Sequence, residues 1–388
     1  MNILNVVPYW GPEFGGQYVN VANITANLIL RGHGASIITT SKTAQNFGKT
    51  YPWRIAEQLI SLPIRACKCY ENLTSFSPEF VRQIAKHIRE YDAVLIHGLW
   101  RFPTSLAAFL CRKQGIPYIV FTHAMMSPWS LSNRRIRKKI YFYLCEKNDL
   151  NKAARVAVMD DPEKNMAKKQ GITAKSFSFQ NALNAKETIL SKTSRDINKR
   201  TSSGTTNLLY LSRIHPKKGL IYLIKAVTEL SRANHKIKLI VAGPPEKRWY
   251  VRKIQNIIRE NNLQKYIFFI NTVCGEEKKK LFMEADIFLL LSDDDSRPLA
   301  ILEAMSYGLP VIATAGCRMP EIDNKMGYIV SRNPKEIAGS IWKLAENKEL
   351  AEKMGASGYR HILENFTWDK RINELMEVLG RVIAEGKA

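Results

Sequence analysis

Asp295 and Glu303, eight residues apart, bracket a stretch that reads as the start of a helix. Ile287 to Leu291 is an unbroken apolar run and reads as a buried strand, after which Asp293, Asp294, Asp295 and Ser296 turn the chain. Pro298 stands where a helix would begin, which suits its fixed φ and missing N–H. Leu299 to Tyr307 continue as helix, Gly308-Leu309-Pro310 stop it, and Val311 to Thr314 read as a second buried strand. The first-turn N–H groups, those of Leu299 and Ala300 among them, then face a polar loop. Such a terminus favours anions, phosphate above all. A carboxylate accepts hydroxyl groups. An anion at the helix start, with Asp295 and Glu303 on either side, therefore suggests a nucleotide diphosphate, ribose at one carboxylate and a sugar at the other. Spacing alone equally allows a solvated Glu303 and an ordinary acidic turn.

Other stretches place reactive side chains just after strands. Gly15-Gly16 lies between a first strand, residues 2–8, and a helix from Val19 to Leu30. Such a pair lets the backbone approach a ligand closely, although a Gly-Gly by itself is also a plain turn. His97 and Trp100 follow the strand Ala93–His97, at the carboxyl end where open α/β sheets place ligands. His123 follows the strand Tyr118–Thr122, a position that structural histidines also occupy. Arg213 and Lys218 sit in Ser-Arg-Ile-His-Pro-Lys-Lys-Gly, between the strand Leu208–Leu211 and the helix Leu220–Leu230. A basic turn before a helix is, taken alone, a solvated one.

Read together, these stretches resemble the signatures of the retaining glycosyltransferases of family 4, which have the GT-B fold. Pro298 to Thr314 and Pro320-Glu321 match that family's C-terminal signature, with Asp295 in place of its first Glu and Ser296-Arg297 in place of Gly-Phe. Ser212 to Gly219 is similar to its Gly-Arg-x-x-x-x-Lys-Gly, and Thr122 to Trp129 to its Pro-His-Gly-Met-x-x-Pro-Trp, with Ala124 for the Gly. Phe366-Thr367-Trp368 resembles the start of its last helix. The resemblance implies that Arg213 and Lys218 hold the donor diphosphate and that Glu303 takes the ribose hydroxyls. It places Asp295 and His123 on the donor sugar, and Gly15 and Gly16 along the donor phosphate and the acceptor cleft. Val273, at the end of an expected strand Ile267–Val273, would meet the base through backbone groups. His97 and Trp100 fall on the acceptor side. Fixed cations aimed at a departing diphosphate stabilise the charge that develops on it, Arg in a bidentate way and Lys as a point charge.

The positioning elements read as repeated βα units. Two Rossmann-like α/β domains facing across a cleft are expected. The first spans 1–183, a polar linker 184–206, the second domain 207–365, and a helix over 366–388 crosses back to the first domain. Residues 53–70 mix apolar and basic residues and read as a helix pair covering the sheet, or as an amphipathic segment lying on a membrane. Arg134 to Lys139 followed by Ile140 to Leu144 is either a solvated helix face running into the core or a membrane-surface patch.

Composition narrows the class. The 388 residues suit two domains, with 45% hydrophobic and 24% charged. No apolar run approaches a membrane span of ~20 residues, and MNILNVVPYW has no signal-peptide pattern. The six cysteines form no Cys-x-x-Cys and read as free thiols. The net charge is +23; residues 1–190 carry 25 Lys and Arg against 12 Asp and Glu. Such a charge favours anionic partners. No nucleic-acid motif accompanies it, so no nucleic-acid partner is expected, and an anionic membrane surface is the candidate.

The expected function is transfer of a sugar, with retention, from a UDP- or GDP-sugar to a saccharide or lipid-linked saccharide in cell-envelope polysaccharide or glycolipid synthesis. No metal and no cofactor is expected, because Arg213 and Lys218 supply the charge. The expected place is the cytoplasm, peripherally on the inner face of the cytoplasmic membrane. The alternatives are a nucleotide-sugar-binding protein without transfer activity, a nucleotide-sugar epimerase of similar shape, and a basic nucleic-acid-binding protein.

Overall fold

The computed structural model of the chain describes residues 1–11, 14–40, 50–55, 58–69, 75–132, 135–184 and 204–387. The chain forms two units, one of Met1–Asn184 with Trp368–Ala388 and one of Ala185–Thr367. The expected linker lies almost wholly outside the described residues, as do Pro12, Glu13 and Arg134.

In the first unit the named elements are β1 (Asn2–Val7), α1 (Gly16–Leu30), β2 (Gly34–Thr39), β3 (Thr50–Ile55), β4 (Gln58–Ala66), α2 (Pro78–His87), β5 (Ala93–His97), α3 (Phe102–Gln114), β6 (Tyr118–Phe121), α4 (Arg135–Tyr141), β7 (Arg155–Val158), α5 (Asp161–Lys169) and β8 (Ser176–Ser178). The strands form one sheet in the order β3-β4-β2-β1-β5-β6-β7-β8. All pairs are parallel except β3 with β4. The near-continuous apolar runs of β1, β5 and β6 follow from this, since a parallel sheet is covered on both faces. Leu4, Val6, Val94, Ile96 and Val120 pack on one side with Phe80 and Ile84 of α2. Ile3, Leu95, Ile119 and Phe121 pack on the other with Ile24 and Leu28 of α1. The alternation is the two-residue period of a strand. Ser77 caps α2 by accepting from Phe80 N–H at 3.0 Å, ahead of Pro78.

Residues 53–70 correct the sequence reading. They carry no helix among the described residues; the chain forms the antiparallel pair β3–β4, and β4 extends the sheet by pairing with β2, Ile37 opposite Ile64. Ile60, Leu62 and Ile64 are buried while Leu59, Ser61, Pro63 and Arg65 are exposed. That period of two is a strand's, and Arg65, one of the basic residues that suggested an amphipathic segment, lies on its open face.

The second unit contains β9 (Thr206–Leu211), α6 (Leu220–Arg232), β10 (Ile237–Ala242), α7 (Arg248–Glu260), β11 (Ile267–Ile270), α8 (Gly275–Glu284), β12 (Ile287–Leu290), α9 (Leu299–Ser306), β13 (Val311–Thr314), β14 (Gly327–Val330), α10 (Pro334–Glu346) and α11 (Lys348–Asn365). Its sheet is wholly parallel in the order β11-β10-β9-β12-β13-β14. The strand expected to reach Val273 stops at Ile270. Its neighbour in the sheet, β10, ends at Ala242 opposite Ile270, and Gly243 turns away after donating to Ile270 O at 3.2 Å. Pro298 lies just before α9, not inside it.

The last helix, α12 (Trp368–Lys387), belongs to the first unit. Trp368, Ile372, Leu375, Leu379 and Val382 are buried against α1 and the sheet. Trp368 N–H donates to Leu183 O at 3.0 Å. Asp369 pairs with Arg31 at 2.9 Å and Glu385 with Arg155 at 2.7 Å, at the helix's two ends.

In both sheets the direction of winding reverses beside the first strand. In the first unit β2 and β5 flank β1, and in the second β10 and β12 flank β9. The crevice outside the carboxyl ends of such a strand pair is where open α/β sheets bind ligands. Gly15 and Gly16 follow β1, and His97 ends β5. Arg213, Lys218 and Asp295 follow β9 and β12.

Candidate functional site

In the second unit, the loop after β9 and the loop after β12 are locked together by backbone. Asp293 N–H donates to Lys217 O at 2.9 Å, and Asp295 N–H ties the β12 loop in turn to the segment after β13 by donating to Gly316 O at 2.7 Å. Arg332 donates to both Lys217 O and Leu291 O at 2.7 Å and pairs with Asp293. Gly219, with φ +74°, lets the loops meet: a Cβ there would lie 2.0 Å from Leu291 O. His215 Nδ1 caps the short turn Pro216–Lys218 by accepting from Lys217 N–H at 3.1 Å.

This scaffold brings Lys218 and Asp295 together. Lys218 Nζ donates to Asp295 Oδ2 at 2.5 Å, and Lys217 Nζ lies 4.0 Å from Oδ1. Burial would raise the Asp295 carboxyl, but the charge and hydrogen bond of Lys218, with Lys217 behind it, hold it below the usual carboxylate value. Burial pulls Lys217 down, and Asp295 opposes that pull. The remaining acidic residues of the loop are also paired, Asp294 with Arg318. Arg297, left-handed at φ +50°, pairs with Glu321. Burial raises the Glu321 carboxyl, yet His361 and Arg297 draw it down to about 2.

The loop leads straight into α9. Ile301 and Leu302 N–H bond to Pro298 O, and among the described residues no protein acceptor takes Leu299 or Ala300 N–H. Two first-turn donors therefore stand open beside fixed cations, the arrangement that receives an anion. Glu303 lies one turn on, half-buried, and accepts from Lys278 of α8 at 2.6 Å. Arg213 stands further out, its side chain 58% exposed, paired with Glu246 at 3.0 Å. Val273 lies in the open loop between β11 and α8.

In the first unit His97 and His123 come together. His97 Nδ1 lies 3.1 Å from His123 Nε2, and His97 Nε2 lies 2.9 Å from Asn5 Oδ1. Asn5 Nδ2 is spent as donor on Thr25 Oγ1 at 3.2 Å, so its Oδ1 accepts. His97 then carries its proton on Nε2, His123 donates from Nε2 to His97 Nδ1, and His123 Nδ1 is left as an acceptor. Burial keeps both rings neutral: it lowers His123 to about 4 and, with His123 beside it, takes His97 well below the usual value. His123 and Ala124 are left-handed, at φ +48° and +60°. The loop is held by Glu163, which accepts from Met126 N–H at 3.1 Å and from Met159 N–H at 2.9 Å. Gln17 joins the α1 start to this loop by donating to His97 O at 3.0 Å. Gly15, at φ +59°, and Gly16 begin α1 with open space around them.

Trp100 is also left-handed, at φ +70°, and donates its N–H to the buried Glu146 at 2.6 Å. Burial outweighs that bond and pushes the Glu146 carboxyl up to about 8. Lys217, Lys278, Arg318, Arg332, Glu146 and Glu163 had no signal in sequence spacing. Each reaches the site's loops from a segment remote in sequence or from an unremarkable turn. All six cysteines are free thiols. Among the described residues no cluster of His, Cys, Asp or Glu could hold a metal ion, and no helix is long and apolar enough to cross a membrane.

Comparison with known proteins adds the following. The family model for glycosyl transferases group 1 matches residues 192–361, and that for a glycosyl transferase 4-like domain matches residues 15–175. An uncharacterized glycosyltransferase of Methanocaldococcus jannaschii is 26% identical over 48% of this chain, which spans about half, 50%, of that protein's length. A phosphatidylinositol N-acetylglucosaminyltransferase protein of Arabidopsis thaliana is 23% identical over 88% of this chain and 74% of its own. Among solved structures, Anabaena HepE, crystallised with UDP and glucose, superimposes with a TM-score of 0.74 at 18% identity, over 98% of this chain and 99% of that one.

Proposed function

The chain belongs to family 4 of the glycosyltransferases, with the GT-B fold, and from that premise we propose that it moves a sugar from a UDP- or GDP-sugar to a saccharide or lipid-linked saccharide, with retention of configuration. The observation that carries the reading is the placement of Lys217, Lys218 and the open first turn of α9 at one reversal point of a parallel sheet. The solved relative with UDP and glucose supports a nucleotide-sugar donor.

In this reading the diphosphate lies against the Leu299 and Ala300 N–H groups, with Lys218 and Arg213 on its oxygens. Glu303 accepts the ribose hydroxyls, and Val273 borders the base. Asp295 and the acceptor nitrogen His123 Nδ1 take hydroxyls of the donor sugar. The acceptor oxygen bonds to the anomeric carbon on the face that the phosphate leaves, the carbon–phosphate oxygen bond breaks, and the acceptor's proton passes to the departing phosphate. Charge grows on that phosphate during the step, so cations fixed beside it lower the barrier. These cations are the ground for proposing that no metal takes part. The setting is cell-envelope polysaccharide or glycolipid assembly at the inner face of the cytoplasmic membrane.

The test is nucleotide release from a panel of UDP-, GDP- and ADP-sugars with a chelator present and membrane extract supplying acceptor. Product anomers are read by NMR. Release from one donor with the anomeric configuration kept supports the proposal. Inversion refutes the retaining route, and loss of activity in chelator refutes metal independence. Donor binding without release would favour the non-transferring alternative, with the loop of Asp295 and Ser296, where the chain departs from the family's Glu-Gly, as the first suspect.

A further inference from the structure

From Ala124 to Leu150 the chain has two carboxylates, Glu146 and Asp149, and both are buried. Asp149 is also paired with Arg112 at 2.6 Å. The same segment has six basic residues, Arg134, Arg135, Arg137, Lys138, Lys139 and Lys147. Its helical part runs from α4 through a π-helical turn, Phe142–Glu146, into a further helical turn, Lys147–Asn151. The inward side carries Phe142, Glu146, Asp149 and Leu150. The outward side carries Ile136, Ile140, Tyr143 and Leu144, exposed at 76%, 57%, 59% and 75%. Separations of four, three and one place these on a single helical face. Four large apolar side chains standing together in water contribute nothing to this unit's core. A face that had only to be solvated would carry polar residues there.

We propose that this face is a docking surface for an anionic lipid bilayer. Ile136, Ile140 and Leu144 enter the boundary between headgroups and acyl chains. Tyr143 sits at headgroup level, where an amphipathic ring is at home. Arg137 and Lys139, both exposed on either flank, lie on lipid phosphates. The charge selects lipid over a second copy of the chain. The face has no exposed carboxylate, so two copies would bring like charges together on a molecule already at +23. Behind the same helix, Phe142 packs on Trp100 at 6.1 Å between ring centres, and Lys138 lies 5.5 Å over the Trp100 ring. On the acceptor-side place that the family resemblance gives Trp100, docking would bring a lipid-linked acceptor toward that residue.

The test is co-sedimentation of the full chain with vesicles of phosphatidylcholine mixed with phosphatidylglycerol, set against phosphatidylcholine alone. Expected is binding to the anionic vesicles only, weakened by raising salt from about 0.05 to about 0.5 M. Ile136→Ser with Leu144→Ser, and separately Arg137→Gln with Lys139→Gln, should each weaken it about tenfold or more. All four positions are exposed, so circular dichroism and nucleoside diphosphate binding should stay at wild-type values and separate this inference from the proposed activity. Equal binding to neutral vesicles, or variants that bind like wild type, would overturn it. So would a wild-type dimer that Ile136→Ser with Leu144→Ser converts to monomer, since the face would then join two copies.

Discussion

At the scale of single residues, the site is built from charges that hold one another. Lys218 was legible as a candidate because its turn resembles the family's Gly-Arg-x-x-x-x-Lys-Gly, and Asp295 because it stands, with Glu303, on either side of a helix start. The partners that fix their loops were not legible. Arg332 reaches Lys217 O across more than a hundred residues of chain, and no spacing rule connects them. Glu146 was likewise invisible: an acidic residue after Tyr-Leu-Cys reads as surface, yet the π turn rotates it into the core beneath Trp100. It carries a prediction. Its carboxyl titrates at about 8 when folded, against an ordinary value near 4.5. Between those values the folded state holds a proton that the unfolded state has released, so stability falls as pH rises through this window. Glu146→Gln mimics the neutral acid. Thermal melts should show it matching wild type near pH 5 and exceeding it near pH 8. A variant whose loss of stability with pH matches wild type would show that Glu146 is ionised in the fold.

At the scale of elements, the strands that carry the site were readable because parallel strands buried on both faces leave unbroken apolar runs. β5, β6, β9, β12 and β13 carry such runs, and β1 carries one interrupted by Asn5. β4 was not readable as a strand, because one face of it is open and its Arg65 and Pro63 imitate a basic amphipathic segment. β11 was read three residues too long, since its end is set by where β10 turns and not by its own residues. The meeting of the β9 and β12 loops rests on Gly219, where backbone approaches within a distance that admits no side chain. Gly219→Ala must push the loops apart or force a left-handed alanine, at a cost of about 1–3 kcal/mol. It should weaken nucleoside diphosphate binding by about tenfold or more, while the far-UV dichroism stays unchanged. Wild-type affinity in calorimetry would show that the two loops are not coupled.

At the scale of the whole molecule, each unit places its candidate residues at its own sheet's reversal point, so the arrangement follows from topology more than from any one side chain. The sequence carried this level well, because motifs in order along the chain mark successive βα units. The first unit is not closed by its own stretch of chain, for α12 supplies five buried apolar side chains to it. At about 1.5–3 kcal/mol each, their removal is comparable to the whole net stability of an ordinary domain. A chain ending at Thr367 should lose the first unit's cooperative melting transition. A truncated protein that keeps it would show that α12 is dispensable. The central claim concerns the cation beside Asp295, and steady-state nucleotide release by wild type and Lys218→Ala from the donor that the panel identifies tests it most directly. The account predicts a loss of about 10²-fold or more in kcat/KM with the fold intact. Unchanged release in Lys218→Ala would contradict it, and the diphosphate site would have to be sought elsewhere.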